Sequence, residues 1–192
     1  MMRCLARKLV MLAATLLVLP AILVVKVAGG NRSFVFFGQL LALVPGLTGS
    51  FLRLAYYAQT LERCSTRGEI GFGSYYSHRA SSFGHGCYIG AYCIIGMVDM
   101  GDHVTIGSQV SLLSGKKQHN FEQLDVPIQQ QGGEFEKISI GRNCWIGNGS
   151  VVMSNLGSQV VVGAGSVVAK DFGDRVVVAG NPAKILKTIG DR

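Results

Sequence analysis

The chain has 192 residues, room for one domain and an appendage. Its 26 glycines follow no triplet and its 4 prolines are few, which excludes a collagen-like rod and argues against a Pro-rich disordered chain; 48% hydrophobic residues suffice for a core. The net charge of +7 points to an anionic partner, a phosphorylated ligand, membrane surface or nucleic acid, without choosing among them.

The first predicted element is an apolar helix. Arg3, Arg7 and Lys8 precede a run from Leu9 to Val25, interrupted by Thr15 and Pro20. As a helix this run is about 25 Å long, slightly short of a bilayer core of about 30 Å. The segment that follows, KVAGGNRSFVFFGQ, is a poor cleavage context for a signal peptide. A second apolar stretch, SFVFFGQLLALVPGLTGSFL, contains Pro45 and is followed by Arg53, Arg63 and Arg67. Only Lys26 and Arg32 lie between the two. The excess of positive charge on the outer flanks places both flanks on the cytoplasmic side. The expectation is a short helical hairpin, or a re-entrant pair broken at Pro20 and Pro45. LAYYAQTLER, residues 54–63, reads as an amphipathic helix leading onward. Residues 1–65 are thus expected to form a helical membrane-associating region, and 66–192 a separate domain.

That second domain opens a repeat. Aliphatic-Gly pairs occur at Ile70, Ile89, Ile95, Ile106, Ile140, Ile146 and Val162, several of them six residues apart. A period of six fits neither a helix nor an alternating strand. It suits a coil of very short parallel strands, triangular in section, with the aliphatic residue inside and glycine at the corner bend. About five to six turns are expected, stacked so that each buries the next. Between Val152 and Leu156 the repeat is two residues short, which predicts a local bulge.

The five cysteines, Cys4, Cys64, Cys87, Cys93 and Cys144, are odd in number and form no CxxC pair. Small buried thiols in a reducing compartment are expected, rather than disulfides or a structural zinc site. The four histidines, His78, His85, His103 and His119, lack the close paired spacing of a three-histidine metal site, so no metal is expected. Basic residues are scattered and few aromatics interleave with them, so nucleic acid is not an expected partner.

The repeat is broken once, by SGKKQHNF and the polar residues after it, a loop near 113–138. His119 stands where the chain leaves the coil. A neutral imidazole suits the work of a general base.

ISIGRNCWIGNGSVVM, VVVGAGSVVAKDF and VVVAGNPAKILK resemble the closing turns of the hexapeptide-repeat acyltransferases, over about residues 68–190. The apolar front end resembles the membrane-associated branch that decorates capsular and exopolysaccharides. The resemblance implies a mainly β protein: a left-handed parallel β-helix behind an N-terminal apolar helical region. It implies an acetyl-CoA-dependent O-acetyltransferase acting on a sugar hydroxyl of a surface polysaccharide or its lipid-linked precursor, at the inner membrane with the catalytic domain on the cytoplasmic side. It also implies a homotrimer, with SGKKQH as the catalytic loop and His119 as general base.

By the same resemblance coenzyme A is expected at Asn148, Ala164, Ala169, Lys170, Lys184 and Lys187. The family often carries serine and threonine where this chain has Asn148 and Ala169, which favours backbone contacts there. His85 and Trp145 are candidates for the acceptor pocket. Glu122, Asp125 or a backbone carbonyl could orient His119. A soluble-type small-molecule acetyltransferase, N-acylation of an amino sugar, and a non-catalytic scaffold on the same coil are the alternatives.

Overall fold

The structure is a computed structural model and describes residues 2–190. Three helices precede the coil: α1 (Met2–Ala28), α2 (Gly30–Ala42) and α3 (Gly46–Thr60). The expected two-segment hairpin is therefore a three-helix unit. α1 runs through Pro20 without a break and, at 27 residues, is about 40 Å long, more than a bilayer core. Proline removes one N–H donor, and the helix is packed on both sides of it through the buried Val18 and Ile22. Pro45 does end an element: it is the extended N-cap of α3. The helix expected over residues 54–63 is the second half of α3. It is not amphipathic in place, because Leu54, Ala55, Tyr56 and Tyr57 are all buried.

α3 lies over the first turn of the coil and closes it. Parallel strands at the top of a coil present unpaired N–H and C=O groups, which invite association or strand the groups when buried. Here the Ile70 N–H donates to Ser50 Oγ at 3.2 Å, and Arg53 Nε donates to the Ile70 carbonyl at 3.0 Å. The Tyr76 N–H donates to the Tyr57 hydroxyl at 3.1 Å. The same Arg53 guanidinium reaches back to the carbonyls of Leu41 and Val44, each at 2.9 Å, at the negative end of α2. One buried cation thus joins α2, α3 and the coil. α1 packs on this layer through a stripe of Met11, Ala14, Val18, Ile22 and Val25, at helical spacing. The rest of α1 is apolar and exposed, including Leu9, Leu12, Leu16, Leu17 and Leu23.

Beyond α3 the chain forms a parallel β-solenoid of about six turns. Face one carries the inward column Ile70, Ile89, Ile106, Ile146, Val162 and Val178. Face two carries Tyr76, Ile95, Leu112, Val152 and Val168. Face three is built from Arg63–Cys64 on Ser82–Phe83, from Val98–Met100 on Ile138–Ile140, and from single bridges joining Ile140, Leu156 and Phe172. The short step before Leu156 is therefore no isolated bulge. It recurs before Phe172, where face three again narrows to one bridging residue per turn. A final antiparallel strand, Ala183–Thr188, covers Val176–Gly180 at the far edge of face one.

The glycine that follows each inward aliphatic is required by stacking, not by bending. A Cβ on Gly90 would stand 2.6 Å from the Gly107 carbonyl carbon and the Ser108 nitrogen in the turn below. The left-handed bend falls two residues later, at Tyr92, His103, Gln109 and Asn143 in some turns and at a second glycine, Gly73, Gly86, Gly149 or Gly165, in others. Cys87, Cys93 and Cys144 are buried at the corners, each Sγ 3.0 Å from a glycine carbonyl. Burial pushes the Cys64 thiol up to about 12. These four cysteines are free, as expected, and the Cys4 side chain lies outside the described residues.

Candidate active site

The chain leaves the coil after Ser111–Leu112 on face two and rejoins at Ile138–Ile140 on face three. The intervening residues fold as a long projecting loop. Its two limbs pair: Glu136 N–H to the Ser114 carbonyl at 3.0 Å, Glu134 N–H to Lys117 at 2.7 Å, and Asn120 N–H to Gly132 at 3.0 Å. At the root, Ser114 Oγ accepts the Met97 N–H at 2.8 Å, tying the loop to the coil. At the tip, the Gln131 side-chain amide accepts from the Gln123 N–H and donates to the carbonyls of Gln123 and Val126. A long polar loop has few apolar contacts to order it, and these internal hydrogen bonds supply the order instead.

His119 sits on the outgoing limb and is exposed. It lines a hollow of about 380 Å³ with Lys116, Lys117, Phe121, Glu122 and Glu134. Among the described residues its ring has no hydrogen-bond partner. Glu122 shares this hollow, whereas Asp125 lines a separate one at the loop tip. The geometry therefore separates the two carboxylates that the sequence left level. Behind the limb, Gly133 approaches so closely that a Cβ on it would meet the Gln118 carbonyl oxygen at 2.0 Å and the His119 nitrogen at 2.8 Å.

The returning limb carries Phe135 onto His78, whose ring lies 5.3 Å away, and His78 Nδ1 is 3.0 Å from Ser77 Oγ. Burial holds the His78 imidazole below its ordinary value. Lys137 then pairs with Glu62, which links the loop's return to the end of α3. None of these braces was singled out from sequence. Glycine at 133 and an aromatic at 135 carry no local motif, and only the folded loop shows what they touch.

The other candidate residues lie on different sides of the prism. Asn148 and Ala164 occupy successive turns of the corner between faces one and two. Asn148 Oδ1 accepts the Ser108 N–H at 2.9 Å, and the Asn148 carbonyl accepts the Gly165 N–H at 2.8 Å. Ala169 and Lys170 lie at the corner between faces two and three, two turns below the loop exit, with Lys170 Nζ 5.5 Å from the Phe172 ring centroid. Hydrogen bonds from the Asn155 N–H and side-chain amide hold the neighbouring Asp171 carboxyl below its ordinary range, and the charge of Lys116 adds to the effect. The loop root thus overlooks Ala169 and Lys170. Lys184 and Lys187 are exposed on the last strand, where they also keep an open sheet edge from pairing with another chain.

His85 lies at the corner between faces three and one. Its N–H donates to Asp102 Oδ1 at 2.7 Å, and its ring is 5.4 Å from that of His103. Trp145 stands outward on face one between Thr105 and Val161 and is 56% exposed. One coil therefore stacks the root of the His119 loop two turns above Ala169 and Lys170, whereas Asn148, His85 and Trp145 belong to other corners and faces.

The outward residues of the three faces differ. Face one presents Glu69, Tyr88, Thr105, Trp145 and Val161, and face two Tyr75, Ile94, Ser111, Val151 and Val167, a mainly apolar set. Face three presents Asp99, Ser139 and Asn155. Among the described residues no cluster of three or more metal-ligating side chains occurs.

No protein-family model matches the chain, and no curated protein does. Solved structures share the fold. A galactoside acetyltransferase in complex with coenzyme A is 24% identical, with a TM-score of 0.66, covering 81% of this chain and 80% of that one. A maltose O-acetyltransferase from Clostridium difficile 630 is 23% identical, with a TM-score of 0.61 and coverage of 88% and 89%. A hexapeptide-repeat-containing acetyltransferase from Vibrio cholerae O1 biovar eltor, complexed with acetyl coenzyme A, is 20% identical, with a TM-score of 0.61 and coverage of 85% and 93%. The coil of this chain is the left-handed parallel β-helix of such acetyltransferases, with an apolar helical region in front of it.

Proposed function

We propose that the chain is an acetyl-CoA-dependent O-acetyltransferase whose acceptor is a sugar hydroxyl of a surface polysaccharide or its lipid-linked precursor. The observation that carries this reading is the single braced loop. It lifts His119, exposed and, among the described residues, with both ring nitrogens uncommitted, off a rigid coil whose fold is that of acetyltransferases. A base of this kind takes the acceptor hydroxyl proton as the oxygen attacks the thioester carbonyl; the tetrahedral intermediate then collapses, expelling the thiolate, which leaves as the thiol with that proton. Glu122, which lines the same hollow, is the better placed of the two carboxylates to orient the ring.

The donor is proposed to lie along the lower turns, where Asn148, Ala164, Ala169, Lys170, Lys184 and Lys187 all sit below the loop. Lysines meet phosphate there as point charges. Asn148, Ala164, Ala169 and Lys170 occupy two corners flanking face two, and Lys184 and Lys187 the last strand at the edge of face one, so one coil does not wrap one ligand with all of them. A second coil seated on the apolar faces would close a cleft between them, and would bring His85 and Trp145 of one chain toward the loop of another. This supports a homotrimer with a site at each interface.

The helical region supports membrane association. α3 and α2 bond to the top edge of the coil, and α1 is layered on them, so its exposed leucines face away from the catalytic domain. The reading is an in-plane anchor on the cytoplasmic leaflet of the inner membrane. A crossing α1 would draw the polar caps of α3 and the first coil turn into hydrocarbon. The named neighbours that act on galactosides and maltose favour a second reading, acetylation of a small free sugar. The uncovered apolar helices favour a membrane-bound acceptor over it.

The test is acetyl transfer by His119→Ala. Loss of at least about a thousandfold in kcat is expected, with coenzyme A binding and thermal stability retained. Near-normal turnover would remove the base assignment, and acetylation of soluble sugars but not of membrane-linked glycan would favour the second reading.

A further inference from the structure

A second hollow, of about 500 Å³, lies where α1 meets the first coil turn, away from the loop. Arg7, Lys8 and Arg67 line it, with Met11 and Gly86 among the remaining walls. Arg7 is held rigidly. Its Nη2 donates to the Thr66 carbonyl at 2.7 Å and the Gly68 carbonyl at 3.2 Å, and its guanidinium lies 5.3 Å from the centre of the Phe51 ring. Among the described residues neither Arg7, Lys8 nor Arg67 forms an ion pair. Glu69, the nearest acid in sequence, is not part of the lining. Three cations therefore converge on one concave space, with no carboxylate among the described residues of its lining. Like charges are costly to gather unless an anion joins them.

The surroundings narrow the anion. The hollow borders the apolar outer side of α1, where Leu5, Leu9 and Leu12 are all more than half exposed. An anion bound here stands beside a face that suits acyl or prenyl chains. Basic side chains with donors to spare match phosphate oxygens.

We propose that this hollow binds the phosphate group of an amphiphile, its hydrocarbon lying along the exposed side of α1. The inference rests on the membrane placement above and extends it from a non-specific surface to a defined site. It also supplies a physical route by which a phosphate-linked glycan would be held near the coil.

The test uses the full chain in phosphatidylcholine nanodiscs and equilibrium dialysis with dihexanoyl phosphatidic acid, counted above empty nanodiscs. Dihexanoylglycerol, which lacks the phosphate, is the control. Saturable binding of the phosphatidic acid only is expected, weakened about tenfold or more by each of Lys8→Gln and Arg67→Gln. Competition by millimolar inorganic phosphate assigns the site to phosphate as such; no competition assigns it to the lipid headgroup. Equal binding of dihexanoylglycerol, or unchanged binding in the double variant, overturns the proposal. Whether the chain enters nanodiscs at all is scored separately, so a failure of the membrane reading is distinguishable from a failure of the site.

Discussion

Arg53 offers a direct test of how the helices hold the coil. In Arg53→Met the side chain keeps its length and loses its donors. The carbonyls of Leu41 and Ala42 keep other partners, the Val44 N–H at 3.3 Å and the Gly73 N–H at 2.9 Å. The carbonyls of Val44 and Ile70 are left with no donor among the described residues. A buried acceptor stripped of its partner costs about 1–3 kcal/mol, so the pair costs about 2–6 kcal/mol. Methionine recovers part of this by packing, and by removing a cation whose burial carries its own penalty. A net loss of about 3 kcal/mol is expected. In a chain of this size that lowers Tm by about 6–12 °C. The assay is thermal unfolding in detergent followed by circular dichroism, with hydrogen exchange at the Ile70 and Tyr76 amides as a local readout. Lys at this position should fall between the two. A Tm within about 2 °C of the parent, with those amides still protected, would falsify the capping argument.

Gly90→Ala should destabilise the coil by several kcal/mol, since its Cβ meets the backbone of the next turn, while Gly173→Ala, with nothing within 4 Å, should stay within about 0.5 kcal/mol; denaturant midpoints compare the two. Gly133→Ala should push the limbs of the loop apart at His119 and cut kcat by about tenfold to a hundredfold with little change in Tm, and normal kinetics would show that the loop's geometry does not matter. Phe135→Ala should raise the His78 pKa toward its ordinary value, read from proton NMR of the ring. Because burial lowers that pKa in the folded chain, the unfolded chain binds the proton more readily. His78 therefore costs stability as pH falls below about 6.5, and Phe135→Ala should lessen that loss.

The repeat was legible because stacking punishes every departure from it. An inward aliphatic at each strand and a small residue just after it are demanded turn by turn, so Ile89, Ile106 and Ile146 announce the coil without an alignment. The loop was legible for the converse reason, since its polar residues could not fill a coil position. The helices were less so. Apolar runs mark burial in lipid and burial in protein alike, and nothing local shows that Leu54–Tyr57 are covered on all sides or that Pro20 leaves α1 whole. The role of the corner glycines was misread from the same cause: a bend is local, but contact with the turn below is not.

The sequence by itself determined the coil, the place where it opens and the histidine at that opening, because periodicity and its interruption are properties of the chain. Only the tertiary structure decided that Arg53, Ser50 and Tyr57 seal the coil's first edge, that Gly133 and Phe135 brace His119's loop, and that Arg7 and Arg67 meet across 60 residues. Each of these is an encounter between groups far apart in the chain. Such encounters depend on which surfaces the packed turns and helices bring within a few ångströms of one another, which no local pattern records.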